Sequence, residues 1–274
     1  MTEERFTAQA VYLLPVLASL LVGLGSSALF LTRPVPPITV TPFPEENPAG
    51  LFGNAAYFVV LVAISAAIFY VLLKRRNLKL ITFIIAFALT AAALLLSVIY
   101  LSLLFALAAG LEFLVLPISI AIAILFDLAV FRLGGKARNI AVICLGGALG
   151  AFFGNYVPFL SATLILIFLA VYDVFAVYYG PVGKIAHLGL DQLHGLSYSF
   201  RDMQMGLGDL VFYSMLAASM LFNFGLISSL SSLAGILAGA YLTLVMLEKK
   251  GMFPGLPFPI VLGLISGMLA SVLL

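Results

Sequence analysis

Residues 161–180 read SATLILIFLAVYDVFAVYYG, an apolar run of twenty in which Asp173 is the single charged group. As a helix, twenty residues rise about 30 Å, the thickness of the hydrocarbon core of a bilayer. The stretch therefore reads as a membrane span. The acid inside it calls for a reason, because an ionisable side chain at such depth costs several kcal/mol unless it is paired or hydrated.

The rest of the chain follows the same pattern. Its 274 residues are 64% hydrophobic and 9% charged, a balance that excludes a water-soluble fold. The charges gather in short gaps between apolar windows near 9–31, 55–73, 80–107, 112–131, 139–157, 161–180, 208–225, 227–246 and 257–274. The fold class expected is an all-α polytopic membrane protein with nine transmembrane helices.

Lys and Arg then set the orientation, since cytoplasmic gaps collect them. Arg5 precedes the first span; Lys74, Arg75, Arg76 and Lys79 fill the second gap; Arg132, Lys136 and Arg138 the fourth; Lys184 and Arg201 the sixth; Lys249 and Lys250 the eighth. Arg33 alone breaks the alternation, so twelve of thirteen basic residues fall on one side. This places the N-terminus in the cytoplasm and the C-terminus outside. Glu3, Glu4 and Arg5 ahead of a long apolar segment that contains Pro15 make a poor cleaved leader, and the first helix is expected to be retained.

Smaller features have plain readings. Six prolines in the gap 32–54 predict an extended, non-helical connector. Gly146, Gly150 and Gly154 recur every fourth residue and put a smooth strip on one helix face for a close neighbour. Cys144 is the only cysteine, so no disulfide framework forms within the chain. His187 and His194 sit in a cytoplasmic loop without a third ligand at zinc spacing, and neither a metal nor a cofactor is expected.

Three acids fall in spans. Asp127 lies near the inner end of the fourth, close to Arg132, and reads as a snorkelling or ion-paired group. Asp173 and Asp209 have no basic neighbour within a turn or two, and both belong to the cytoplasmic half, on helices joined by one cytoplasmic loop. Two carboxyls a few Å apart in a low dielectric share a proton near neutral pH, leaving one as base and one as acid. That suits aspartyl hydrolysis of an amide. On depth alone, proton-coupled transport and a structural pair remain open.

Local sequence adds specificity. Val171-Tyr172-Asp173 with the apolar residues after it resembles the tyrosine–aspartate motif of presenilins, and Gly206-Leu207-Gly208-Asp209 resembles their GxGD segment. Pro254-Gly255-Leu256-Pro257 is similar to the Pro-Ala-Leu motif at the start of their last helix, with glycine in place of alanine. The three occur in the family's order on the sixth, seventh and ninth spans. The chain thus resembles the presenilin and signal-peptide-peptidase family of intramembrane aspartyl proteases, as a single-chain microbial member.

The resemblance implies a presenilin-like fold in one membrane domain, with residues 1–157 as scaffold and 158–274 as catalytic helices carrying the cytoplasmic loop 181–207. It implies Asp173 and Asp209 as the catalytic pair. Tyr172, Gly206, Leu207, Gly208, Pro254, Gly255, Leu256 and Pro257 would line the site and the substrate. For Tyr172, simple packing is an equal reading. The expected activity is that of a GxGD-type aspartic endopeptidase acting on single-span transmembrane proteins or peptides in the cell membrane of a microbe. Lipid is its other partner, nucleic acid is not one, and nothing in the sequence requires partner subunits. Two rivals stand beside it: a prepilin-type GxGD peptidase, and a transporter that moves protons through buried carboxylates. Zinc and serine intramembrane proteases are excluded, since the spans carry neither an H-E-x-x-H helix nor a nucleophile with an adjacent base.

Overall fold

A computed structural model describes residues 7–32, 40–106, 110–180, 197–200 and 203–273. Lys184, His187, His194, Arg201 and the prolines at 34, 36 and 37 lie outside the described residues.

Apolar side chains on uninterrupted runs of good helix formers give, in chain order, α1 (Ala10–Leu31), α2 (Pro48–Lys74), α3 (Leu78–Phe105), α4 (Glu112–Leu133), α5 (Gly135–Tyr156), α6 (Phe159–Tyr178) and α7 (Leu207–Lys250). These seven are long and apolar enough to cross a membrane, and a shorter apolar helix, α8 (Pro257–Leu273), follows. The 44 residues of α7 are two limbs, since Gly225 breaks it with φ 85 and ψ −177. The left-handed φ is open to glycine at little cost. The second limb then folds back along the first: the Ser229 hydroxyl donates to the Ala217 carbonyl at 2.7 Å. The break falls at the Asn223-Phe224-Gly225 turn read from the sequence.

Three local features differ from the sequence reading. Helix α2 begins at Pro48, seven residues earlier than the apolar window at 55, because proline at the first helical position has its φ preset and no N–H to satisfy. Beyond being a connector, the end of the Pro-rich gap also ties two helices together. The Asn54 side chain accepts the Phe43 N–H and donates to the Phe43 carbonyl and the Ser161 hydroxyl, each at 3.0 Å, while Glu45 accepts the Ser161 N–H at 3.2 Å. The first turn of α6 is thereby fixed to α2. Ahead of α7, Ser197–Phe200 (β1) and Met203–Gly206 (β2) pair as an antiparallel hairpin, Ser197 opposite Gly206. No window of the sequence had suggested strands there.

The first limb of α7 is the centre of the bundle: Leu210, Val211 and every residue from Tyr213 to Leu221 are buried. Helices α8, α5 and α1 pack most extensively against α7. In lipid the helices gain little by hiding apolar surface from one another, so close van der Waals contact and small residues hold them. The glycine strip of α5 does this. A methyl group on Gly146 would meet Leu210; on Gly150, the Val211 carbonyl, Ser214 and the Met215 amide; on Gly154, the Met215 carbonyl, the Ala218 side chain and the Ser219 amide. Ser19 of α1 and Ser214 of α7 add a buried hydroxyl contact at 3.3 Å. Large side chains such as Phe83, Phe87, Leu125 and Val171 face outward, toward lipid.

Gly150→Ala is expected to destabilise the protein by about 1–3 kcal/mol, the usual cost of overpacking. Gly25→Ala, where an added methyl meets nothing within 4 Å, should leave stability unchanged or slightly raised. Thermal unfolding of the two variants in detergent checks the contrast.

Candidate active site

Asp173 stands near the end of α6, and Asp209 is the third residue of α7. An acid in the first helical turn is favoured by the unpaired N–H groups and the positive end of the helix dipole. Both side chains are half-buried.

The two meet at a third element. Between α7 and α8 the chain leaves helical geometry over residues 252–256, because Gly251 closes α7 in the left-handed conformation (φ 72) and Pro254 and Pro257 supply no N–H. Pro254 and Leu256 are buried. The Leu256 N–H donates to Asp173 Oδ2 at 3.0 Å. On the other side, a Cβ on Gly255 would lie 2.9 Å from Asp209 Oδ1 and 3.1 Å from Oδ2. Two consecutive residues thus touch both carboxyls, which are within electrostatic reach of each other. Tyr213, one turn after Asp209, donates its hydroxyl to the Gly255 carbonyl at 2.8 Å.

The other residues named from the sequence group around this contact. Gly206 ends β2 in an extended conformation (φ −68, ψ 143) that any residue can adopt. The need for glycine is therefore not conformational. A Cβ on Gly206 would face Asp209 Oδ2 at 3.6 Å and one on Gly208 would face Phe212 at 3.7 Å, so both glycines leave open floor beside the acid. Leu207 and Gly208 also form one wall of an apolar cavity of about 670 Å³, completed by Phe58, Leu61, Val62, Ser65 and Ala66 of α2, Leu149 and Phe153 of α5, Ile165 and Leu169 of α6, and Val211, Phe212 and Met215 of α7. Its size is that of a pocket for a bulky apolar ligand. Pro257 opens α8. Tyr172 is half-buried beside Asp173, and neither bond that grips the Gly255–Leu256 segment involves it.

Asp127 takes no part. Its carboxylate accepts the Thr90 hydroxyl of α3 at 2.9 Å, a helix-to-helix bond that gives it a structural role. Tyr213 is the site residue that sequence reading had not singled out. Its signal was its spacing: four residues from Asp209 puts both on one helix face.

A family model described as signal-peptide peptidase, presenilin aspartyl protease matches residues 18–187, well over half of the sequence. The chain belongs to that family. The match includes Asp173 and ends before Asp209 and Pro254–Pro257. Two solved structures of a presenilin family intramembrane aspartate protease, in space groups C222 and P2, share the fold. The first aligns with TM-score 0.68 at 20% identity over 95% of this chain and 97% of its own. The second gives 0.64 at 20% identity over 95% and 96%. No curated protein matches. Family and helices together make this an integral, multi-pass membrane protein with the presenilin-like, all-helical fold.

Substitution at Gly255 probes how tightly the segment sits on Asp209. Gly255→Val should cost about 1–3 kcal/mol through overpacking, with Gly255→Ala losing less; the order of the thermal midpoints in detergent checks this.

Proposed function

We propose that the protein cleaves peptide bonds inside the bilayer, as a GxGD-type aspartic endopeptidase acting on single-span transmembrane proteins or peptides, with Asp173 and Asp209 as its catalytic pair. The observation that carries this reading is the convergence of both carboxyls on Gly255 and Leu256, from two different helices. Family membership supports the chemistry.

The reaction needs only the two acids and water. The ionised carboxyl takes a proton from a water molecule as its oxygen attacks the scissile carbonyl carbon, and the protonated partner hydrogen-bonds the carbonyl oxygen. A tetrahedral intermediate forms. As it collapses the nitrogen accepts a proton, the C–N bond breaks, and the carboxyls exchange roles. Which of them starts as base belongs to the pair as a whole. Gly206, Leu207, Gly208, Pro254, Gly255, Leu256, Pro257 and Tyr172 would border the substrate, and the apolar cavity against Gly208 would take its side chains. Irregular backbone at membrane depth is tolerated where it lines a wet cavity.

The architecture is read accordingly. Helices α1 to α6, the two limbs of α7, and α8 make nine crossings, with residues 1–157 as scaffold and 158–274 as the catalytic part. The basic residues favour a cytoplasmic N-terminus and a C-terminus outside, in a microbial cell membrane.

Purified protein in detergent should cut a single-span peptide into two products detectable by mass spectrometry. Asp173→Asn and Asp209→Asn should each lower turnover by at least about 10²-fold while the variants remain folded. Because the active state holds one proton between two carboxyls, the rate falls in acid, where both are protonated, and in base, where both are ionised, giving a bell-shaped profile. Near-normal turnover in either variant would overturn the assignment.

A further inference from the structure

The Gly255 carbonyl and the Leu256 N–H belong to a single peptide group, and that group is held at both edges: the carbonyl by the Tyr213 hydroxyl at 2.8 Å, the N–H by Asp173 Oδ2 at 3.0 Å. A peptide unit is planar, so fixing the direction of its carbonyl fixes the direction of its N–H. We propose that Tyr213 is a positioning residue, whose hydroxyl locks the Gly255–Leu256 peptide plane so that its N–H stays aimed at Asp173. The proposal rests on the reading of Asp173 and Asp209 as the catalytic pair.

Three observations support it. Tyr213 is 1% exposed, and its side chain is therefore held by packing on α7. It lies one turn beyond Asp209 on the same helix, which couples the plane's orientation to the helix that carries the second acid. One of the two residues about whose bonds the plane turns is a glycine, and the other, Leu256, is held by burial and by the Ile260 N–H on its carbonyl. Gly255 has no Cβ, so rotation of the plane about the bonds of that residue meets little steric resistance, and the segment forms no helix of its own. Without the phenol hydroxyl the peptide group can flip, turning its N–H away from one carboxyl.

Tyr213→Phe keeps the ring and removes only the donor. Its kcat on a single-span peptide should fall roughly tenfold, the scale of one lost hydrogen bond, with KM held within about twofold and the bell-shaped pH profile displaced on at least one limb. Tyr100→Phe is the matched control: it loses a tyrosine hydroxyl bond of the same kind, to the Ala148 carbonyl at 2.6 Å, between α3 and α5. It should leave kcat and the profile unchanged. A second arm reads the segment without catalysis. Leu256→Cys in a Cys144→Ala background, labelled in intact membranes with a water-soluble maleimide, should react several times faster when residue 213 is Phe than when it is Tyr.

If Tyr213→Phe keeps wild-type kcat and pH profile while Asp209→Asn is inactive, the positioning role is overturned and the catalytic pair stands. An equal loss of kcat in Tyr100→Phe also overturns it. Should Asp209→Asn cleave normally, the catalytic reading fails, and the labelling arm then decides the peptide lock: an unchanged rate refutes it.

Discussion

The peptide group between Gly255 and Leu256 joins two helices at residues that are far from it in sequence. It brings an N–H to an acid on α6, a carbonyl to a tyrosine on α7, and the bare Cα of Gly255 against a second acid on α7. Each of these groups would be expensive to leave unpaired in a bilayer, where water is scarce and every backbone donor needs a partner. The same segment therefore solves two problems. It satisfies its own non-helical backbone, and it gives Asp173 a donor in place of bulk solvent.

That arrangement holds only if α7 is placed to within a fraction of an ångström, and the scaffold meets this need by close contact. Glycines of α5 let its backbone lie on the backbone of α7 at Val211, Met215 and Ser219. Where α8 meets both limbs of α7, Gly239 lies against the α8 backbone at Phe258 and Pro259, while Gly263 and Gly267 make room for the side chains of Leu216, Met220, Ser232 and Ile236. Packing at this distance does not depend on hydrophobic driving force, which is weak between helices in lipid. At the far end of α6, Asn54 and Glu45 pin its first turn through two hydrogen bonds to Ser161. Asp173 thus sits toward the opposite end of a helix whose first turn is tethered.

The apolar cavity beside Gly208 has a complementary form. Helix α2 contributes one side of it and is little buried among its neighbours, whereas α7 contributes the other side from the centre of the bundle. A wall on a little-buried helix thus faces a wall at the centre of the bundle. Gly208, the residue before Asp209, lies in the cavity wall.

Much of this was legible in the sequence, for reasons of solvent. Apolar windows had to be helices because lipid offers the backbone no other partner, and the turn at Gly225 was marked by its own residue types. Asp173 and Asp209 were conspicuous since ionisable groups are rare at that depth. The hairpin Ser197–Gly206 was not legible: its strands are four residues each, too short for an alternating pattern to register. Nor was the Thr90 partner of Asp127, or the grip of Asn54 on Ser161, because both join residues dozens of positions apart. Glycine at 255 looked like a departure from a family motif, and only the folded chain revealed that an added methyl would press on Asp209. Composition and spacing determined the solvent, the helices and the two acids, all of which follow from local chemistry. Which peptide edge faces which side chain was decided by tertiary structure, since the direction of a hydrogen bond depends on how separate helices come together.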